Sequence, residues 1–151
     1  MNEEIKRTQG LEPYIREDSI VLILGTLPGE VSLRYQKYYY DRSNKFWDIL
    51  FQACGEPLQK TDEAKEMLLR KYKIALWDMA KSAIRVKPSD KNPEEVIATS
   101  SDDSIEEEQP NDLPGLLTEY GNVKLLIFNG EKACKYFHKH YKNTTIPYIC
   151  V

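Results

Sequence analysis

Apolar positions in this chain fall into short blocks whose spacing alternates between strand and helix character. Ser19 to Leu24 is an unbroken β-branched and leucine run, the pattern of a strand buried on both faces. It breaks at the small-residue turn Gly25-Thr26-Leu27-Pro28-Gly29. Phe46, Trp47, Ile49, Leu50 and Ala53 then recur at helical spacing, with Ser43 as the N-cap and Gly55-Glu56-Pro57 as the stop. Thr61-Asp62 opens a second helix, with Ala64, Met67, Leu68 and Tyr72 on its apolar face, and Lys73 to Trp77 reads as a second strand. Asn111-Asp112 caps a helix running to Tyr120, and Val123 to Phe128 is a third strand. After the turn Asn129-Gly130 a helix runs from Glu131 to Tyr141, and Thr145 to Val151 begins a fourth strand. Three stretches carry weak periodicity: residues 1–18 read as an irregular or short helical lead-in, 30–42 as a loop, and 81–110 as a long loop containing the acidic run Asp102–Glu108. The acidic run itself reads as a solvated segment.

The order β-α-α-β-loop-α-β-α-β predicts a three-layer α/β/α sandwich around a central four-stranded parallel sheet. A length of 151 residues suits one domain, so the chain is expected to form a single unit over 1–151. A net charge of −3 gives no global attraction to nucleic acid, although a local patch suffices for an enzyme that grips a few phosphates. Cys54, Cys134 and Cys150 are odd in number, far apart and lack CxxC spacing, so no metal is expected. Cys54 and Cys134 fall in helical patterns as small buried hydrophobes. No signal peptide or apolar run approaching a membrane span is visible, and the expected setting is a reduced cytoplasm.

Candidate chemistry starts at the turn after the first strand, where α/β folds place ligands. Gly25-Thr26-Leu27-Pro28-Gly29 has neither the P-loop nor the dinucleotide glycine spacing. Glycine lets backbone approach a ligand and proline fixes the turn; an ordinary connection and a binding site are both compatible. Tyr38-Tyr39-Tyr40 can stack on nucleobases or lie over the core with wet hydroxyls. Asn44 can cap the helix, or it can orient a water. An amide is a poor general base, so the second role requires a labile bond. The helix bearing Lys132, Lys135, His138, Lys139, His140 and Lys142 can face phosphates or solvent. His138 and His140 lie on different faces of that helix, which argues against a metal shared between them.

Gly-x-x-Pro-Gly after an apolar strand, then Tyr-Tyr-x(4)-Asn-Lys-Phe-Trp opening a helix, resembles the uracil-DNA glycosylase superfamily, above all its hypoxanthine (deoxyinosine) branch near the mismatch-specific thymine/uracil enzymes. Ala75-Leu76-Trp77-Asp78, Ser101–Ile105 with Pro110-Asn111-Asp112-Leu113, and Ile127-Phe128-Asn129-Gly130-Glu131-Lys132-Ala133 agree with the family in order, so the resemblance covers about 18–151. It implies a monofunctional enzyme, without cofactor or metal, that flips a damaged or mismatched base from DNA and hydrolyses its N-glycosidic bond. Leu27 stands where mismatch-specific relatives carry a water-activating Asn, so the resemblance assigns catalysis to Asn44. It assigns base binding to Gly25, Thr26, Leu27, Pro28, Tyr39 and Asn129; the candidate phosphate-binding cations are Arg42, Lys45 and Lys132. The partner implied is DNA holding the damaged base, with no membrane and a monomeric protein.

Tyr40-Asp41-Arg42 replaces the usual Gly-His-Pro, and an extra segment lies near 86–99. The family pattern continues beyond Ile149-Cys150-Val151 into a Ser/Pro-rich minor-groove loop and a last helix; a protein ending at Val151 is expected to grip DNA weakly. The competing expectation is a catalytically silent nucleic-acid- or nucleobase-binding remnant of the same fold.

Overall fold

The computed structural model describes residues 7–88, 91, 96–98, 105–141 and 144–151. In chain order its elements are β1 (Thr8–Gln9), β2 (Val21–Gly25), α1 (Glu30–Tyr35), α2 (Phe46–Ala53), α3 (Asp62–Lys71), β3 (Ile74–Asp78), β4 (Ala80–Pro88), β5 (Val96–Ala98), β6 (Ile105–Pro110), α4 (Leu113–Glu119), β7 (Leu125–Phe128), α5 (Glu131–His140) and β8 (Tyr148–Cys150).

Successive side chains of a strand point to opposite faces, and the central strand shows the consequence. Leu22 and Leu24 enter one apolar cluster with Ala75, Trp77, Leu126 and Phe128, which is roofed by Leu113 and Leu116 of α4 and Ala133, Tyr136 and Phe137 of α5. Ile23 enters the other with Ile74 and Leu76, roofed by Trp47 and Phe51 of α2 and Leu68 and Leu69 of α3. Each such side chain taken fully out of water contributes roughly 1.5–3 kcal/mol, so a strand with apolar residues on both faces is stable only inside a sandwich. The sheet order is β3-β2-β7-β8, and every neighbouring pair is parallel. This is the expected four-stranded parallel sheet between two helical layers. Among the described residues no helix is long and apolar enough to cross a membrane.

Three expected irregular stretches contain regular structure. Within 30–42 the chain forms α1, whose six residues are too few and too polar to show a period. The lead-in holds β1 and a bridge from Tyr14 to Leu76. The largest correction is the long loop: β1, β4, β5 and β6 form a second, antiparallel sheet in which β4 pairs with the other three. Part of the acidic run belongs to β6, whose Ile105 is buried; Asp102, Asp103 and Ser104 lie outside the described residues. β1 is only two residues long and β6 follows its one isoleucine with Glu, Gln and Pro, so local apolar pattern does not show them.

Two capping and cysteine expectations also change. Ser43 does not cap α2; its N–H and hydroxyl both donate to Asp41 Oδ1, at 2.9 and 2.8 Å. The first turn of α2 is met by Asn44, whose Oδ1 accepts from the Phe46 N–H at 2.8 Å. Cys134 is no buried hydrophobe: it is half-buried and forms a disulfide with Cys150, while Cys54 is the free thiol.

Candidate active site

The parallel strands β2, β3 and β7 end side by side, with Gly25 paired to Asp78 and Leu24 to Phe128. The turns leaving these three strands therefore meet at one edge of the sheet. A cleft of about 440 Å³ opens there, a volume in the range of small-molecule sites. It is lined by Gly25, Thr26, Leu27, Pro28, Tyr39, Asn44 and Asn129, all seven of the catalytic and base-binding positions expected from sequence, together with Asp41, Ser43 and Asp78.

Backbone pairing behind the turn defines what the turn can offer. The Gly25 carbonyl accepts from Met79 N–H at 2.8 Å and the Thr26 carbonyl from Ala80 N–H at 3.0 Å. Both carbonyls are thus engaged by the chain that links β3 to β4. The Leu27 side chain is buried in the core, which leaves main chain as its contribution to the cleft. Gly25 has a steric reason to be glycine: a Cβ there would lie 2.6 Å from Asp78 Oδ1 and 3.0 Å from the Tyr39 hydroxyl.

Asp78 is a site residue that sequence reasoning passed over as part of a strand motif. It is buried, ends β3 and faces the cleft. The signal available was a carboxylate closing a four-residue apolar run, Ile74-Ala75-Leu76-Trp77, at a strand's C-terminal end. Asn111, also buried, fixes this strand exit by donating from Nδ2 to the Asp78 carbonyl at 2.8 Å, while its own N–H donates to the Met79 carbonyl. The Tyr141 hydroxyl donates to the Asn111 carbonyl, and burial pushes that phenol up to about 12.

The three adjacent tyrosines separate by role. Tyr38 is an anchor: its hydroxyl donates to the Glu12 carbonyl at 2.7 Å, its carbonyl accepts from Trp47 Nε1, and burial, with the Asp78 charge second, raises its pKa far above the ordinary range. Tyr40 lies under the ammonium groups of Lys37 and Lys65, at 5.0 and 5.3 Å from its ring centre. Tyr39 alone of the three directs its hydroxyl toward Gly25, and one ring face stacks on Phe46 with centroids 3.7 Å apart. Its φ of 53° is left-handed, an unfavourable setting for a bulky residue that surrounding structure must hold.

Asn44 is exposed, and its Oδ1 is held by the Phe46 N–H. A carbonyl oxygen has two lone pairs, so capping and binding a water are compatible. Asp41, tied down by Ser43, keeps its carboxyl below the usual range because those two donors, the backbone N–H first, favour the charged form.

A second cleft of about 900 Å³ shares Tyr39, Asp41 and Asn44 with the first and is lined by Arg34, Arg42, Lys45, Lys60 and Lys65 against Asp41 and Asp48. This puts a cationic groove beside the inner cleft, despite the acidic chain as a whole. Burial lowers the Lys65 pKa, and Lys45 lies 3.9 Å from Asp48. Arg42 and Lys45 belong to this groove; Lys132, in the first turn of α5, lines neither cleft.

The family model for the uracil DNA glycosylase superfamily matches residues 12–149. A hypoxanthine DNA glycosylase of Methanosarcina barkeri is 35% identical over 131 residues, covering 86% of this chain and 75% of the relative. A hypoxanthine DNA glycosylase of Methanosarcina acetivorans is 35% identical over 133 residues, covering 87% and 75%. A solution NMR structure of a candidate uracil DNA glycosylase from Methanosarcina acetivorans superposes with a TM-score of 0.76 at 30% identity, over 96% of this chain and 84% of that one.

Proposed function

This chain belongs to the uracil DNA glycosylase superfamily, and from that premise we propose that it is a DNA glycosylase releasing a deaminated base, hypoxanthine first among them, from a nucleotide flipped into the cleft at the ends of β2, β3 and β7. The observation that carries the reading is the convergence of Asn44, Tyr39, Asp78, Asn129 and the Gly25–Pro28 turn on that one cleft.

A base inside the duplex presents its glycosidic bond to no side chain, so extrusion precedes chemistry. In this reading the cationic groove with Arg42 and Lys45 holds the flanking phosphates, Lys132 adds a contact from α5, and Tyr39 packs against the flipped base. The turn around Thr26 and Leu27 donates to the base carbonyl, O6 of hypoxanthine or the equivalent oxygen of uracil. An oxygen of Asp78 accepts from the adjacent ring N–H. Both bases carry that carbonyl and N–H pair.

Bond cleavage releases the base with negative charge and leaves an oxocarbenium-like sugar. Donors fixed in advance on the base carbonyl stabilise the first, and the DNA phosphates stabilise the second. Water is then captured at C1′, and its proton passes through solvent to the departing base anion, giving the neutral base and the C1′ hydroxyl. Asn44 Oδ1, held by the Phe46 N–H, uses its second lone pair to aim that water. A strong general base is unnecessary because the cation is already electrophilic. The protein acts as a monomer in the cytoplasm, and this hydrolysis uses no metal.

The test is a duplex carrying one deoxyinosine, with uracil and mismatched-thymine duplexes alongside. Free hypoxanthine is measured by chromatography, and the abasic strand by alkaline cleavage. Release by the wild type and its loss in Asn44→Ala are expected. Full activity in Asn44→Ala would remove Asn44 from the chemistry, and salt-sensitive binding without release from any duplex would favour a silent binding protein.

A further inference from the structure

Away from the cleft, Cys134, His138 and Cys150 bring their ligand atoms together so that all lie within 4.8 Å of one another. Cys134 and His138 are one turn apart on α5 and share a face. Cys150 lies in β8, opposite Phe128 of β7, so sheet pairing delivers it to that helix. We propose that these three residues form a redox-gated site for a thiophilic divalent cation, with Zn²⁺ the best fit.

The donor set is two sulfurs and one imidazole, a combination that suits zinc and leaves a fourth tetrahedral position for water. Two sulfurs each about 2.3 Å from a common ion cannot be more than about 4.6 Å apart, so small side-chain adjustments convert the present cluster into a coordination shell. The Cα atoms of Cys134 and Cys150 are 5.7 Å apart, so the same backbone holds the disulfide now present. The His138 ring is kept beside the sulfurs by edge-on contact with Tyr148, centroids 5.6 Å apart. His138 and Cys150 are exposed and Cys134 half-buried, so both reductant and ion can reach the site.

The switch balances. A dithiol reductant transfers two electrons and two protons to the disulfide, giving two thiols here and a disulfide on the reductant. Zn²⁺ then displaces the two thiol protons, and two thiolates with a neutral imidazole hold the ion with no net charge. In a thiol-reducing compartment the ion replaces the covalent link between α5 and β8.

The experiment uses the whole chain, reduced with dithiothreitol and desalted under argon, against the same protein left oxidised. Zn²⁺ is titrated in competition with a chromophoric chelator, and Co²⁺ is used as a spectroscopic probe. The reduced protein is expected to bind one equivalent and to show thiolate-to-cobalt charge transfer; the oxidised protein is expected to show neither. His138→Ala should weaken binding by at least about tenfold, the floor set by losing even a supporting contact in a metal site. Thiol alkylation of reduced wild type, slowed by Zn²⁺, reads the site without any variant having to fold. Reduced wild type that binds no Zn²⁺ and is alkylated equally fast with and without it overturns the proposal, as does His138→Ala binding as tightly as wild type.

Discussion

Replacing Gly25 with alanine tests the geometry of the cleft with a single methyl group. That methyl would sit 2.6 Å from Asp78 Oδ1 and 3.0 Å from the Tyr39 hydroxyl, so reaching ordinary contact near 3.4 Å requires Asp78 to retreat by about 0.8 Å. Asp78 is only 4% exposed and has little room to do so. Overpacking of this kind costs roughly 1–3 kcal/mol. In a chain of this length that lowers the melting temperature by roughly 2–12 °C. A displacement approaching 1 Å in a group that orients the base costs about 10²-fold in rate. The assay is single-turnover release of hypoxanthine from a deoxyinosine duplex, at a temperature where both proteins are folded, with calorimetry alongside. A cycle with Asp78→Ala isolates the clash: in that background Gly25→Ala should lose much of its effect on melting. Gly25→Ala that melts with wild type and releases hypoxanthine at the wild-type rate would refute both the contact and the role of Asp78.

Asn44→Ala should reduce single-turnover release by about 10²–10³-fold, in the range of losing one fixed group in a polar active site. It should also cost about 0.5–1.5 kcal/mol of stability through the lost hydrogen bond from the Phe46 N–H, which calorimetry reads. Arg42→Ala and Lys45→Ala should each flatten the salt dependence of DNA binding by about 0.9 in the log–log slope, one phosphate apiece, and an unchanged slope would remove that residue from the interface. Asp41, with its folded pKa lowered chiefly by the Ser43 N–H and then by the Ser43 hydroxyl, contributes stability that is present above its unfolded pKa and lost as pH falls through the lower folded value. Ser43→Ala removes the hydroxyl alone, so carboxyl NMR titration should find Asp41 titrating at higher pH; an unmoved titration would contradict the turn.

The sandwich was legible because its strands are buried on both faces. Leu22, Leu24 and Ile23 must find cover on opposite sides, and helical runs of matching apolar spacing flank them. The positions around the cleft come from the family resemblance; parallel pairing accounts for the turns among them, Gly25–Pro28 and Asn129, meeting at one edge. Asp78 was hidden because the space its carboxylate takes is opened by the missing Cβ of Gly25, a neighbour across the sheet and not along the chain. The antiparallel sheet was hidden because β6 follows Ile105 with Glu, Gln and Pro, and Ala83 and Ser82 of β4 carry no strand signature though both are buried. Ser43 does not cap α2 because Asp41, two residues before it, takes both its N–H and its hydroxyl, and Asn44, just ahead of the helix, meets the Phe46 N–H. The pairing of Cys134 with Cys150 depends on how α5 crosses β8, a tertiary fact that spacing of 16 residues does not encode.

If the proposed function holds, the carbonyls of Gly25 and Thr26, which accept from Met79 and Ala80 behind the turn, bear on what the protein would refuse. Adenine presents an amino group where hypoxanthine presents O6, and a bare ring nitrogen where hypoxanthine carries N–H. Its amino group would meet the turn's N–H donors, and its ring nitrogen would confront an oxygen of Asp78. Each buried polar group left without a partner costs roughly 1–3 kcal/mol, so two mismatches on one base edge compound the penalty. Discrimination of this kind works by exclusion. It matters most to a protein sampling a genome in which intact adenines vastly outnumber lesions. By directing those carbonyls toward Met79 and Ala80, the junction between β3 and β4 would, on the proposed function, lower the frequency of mistakes from behind the surface proposed to read the base.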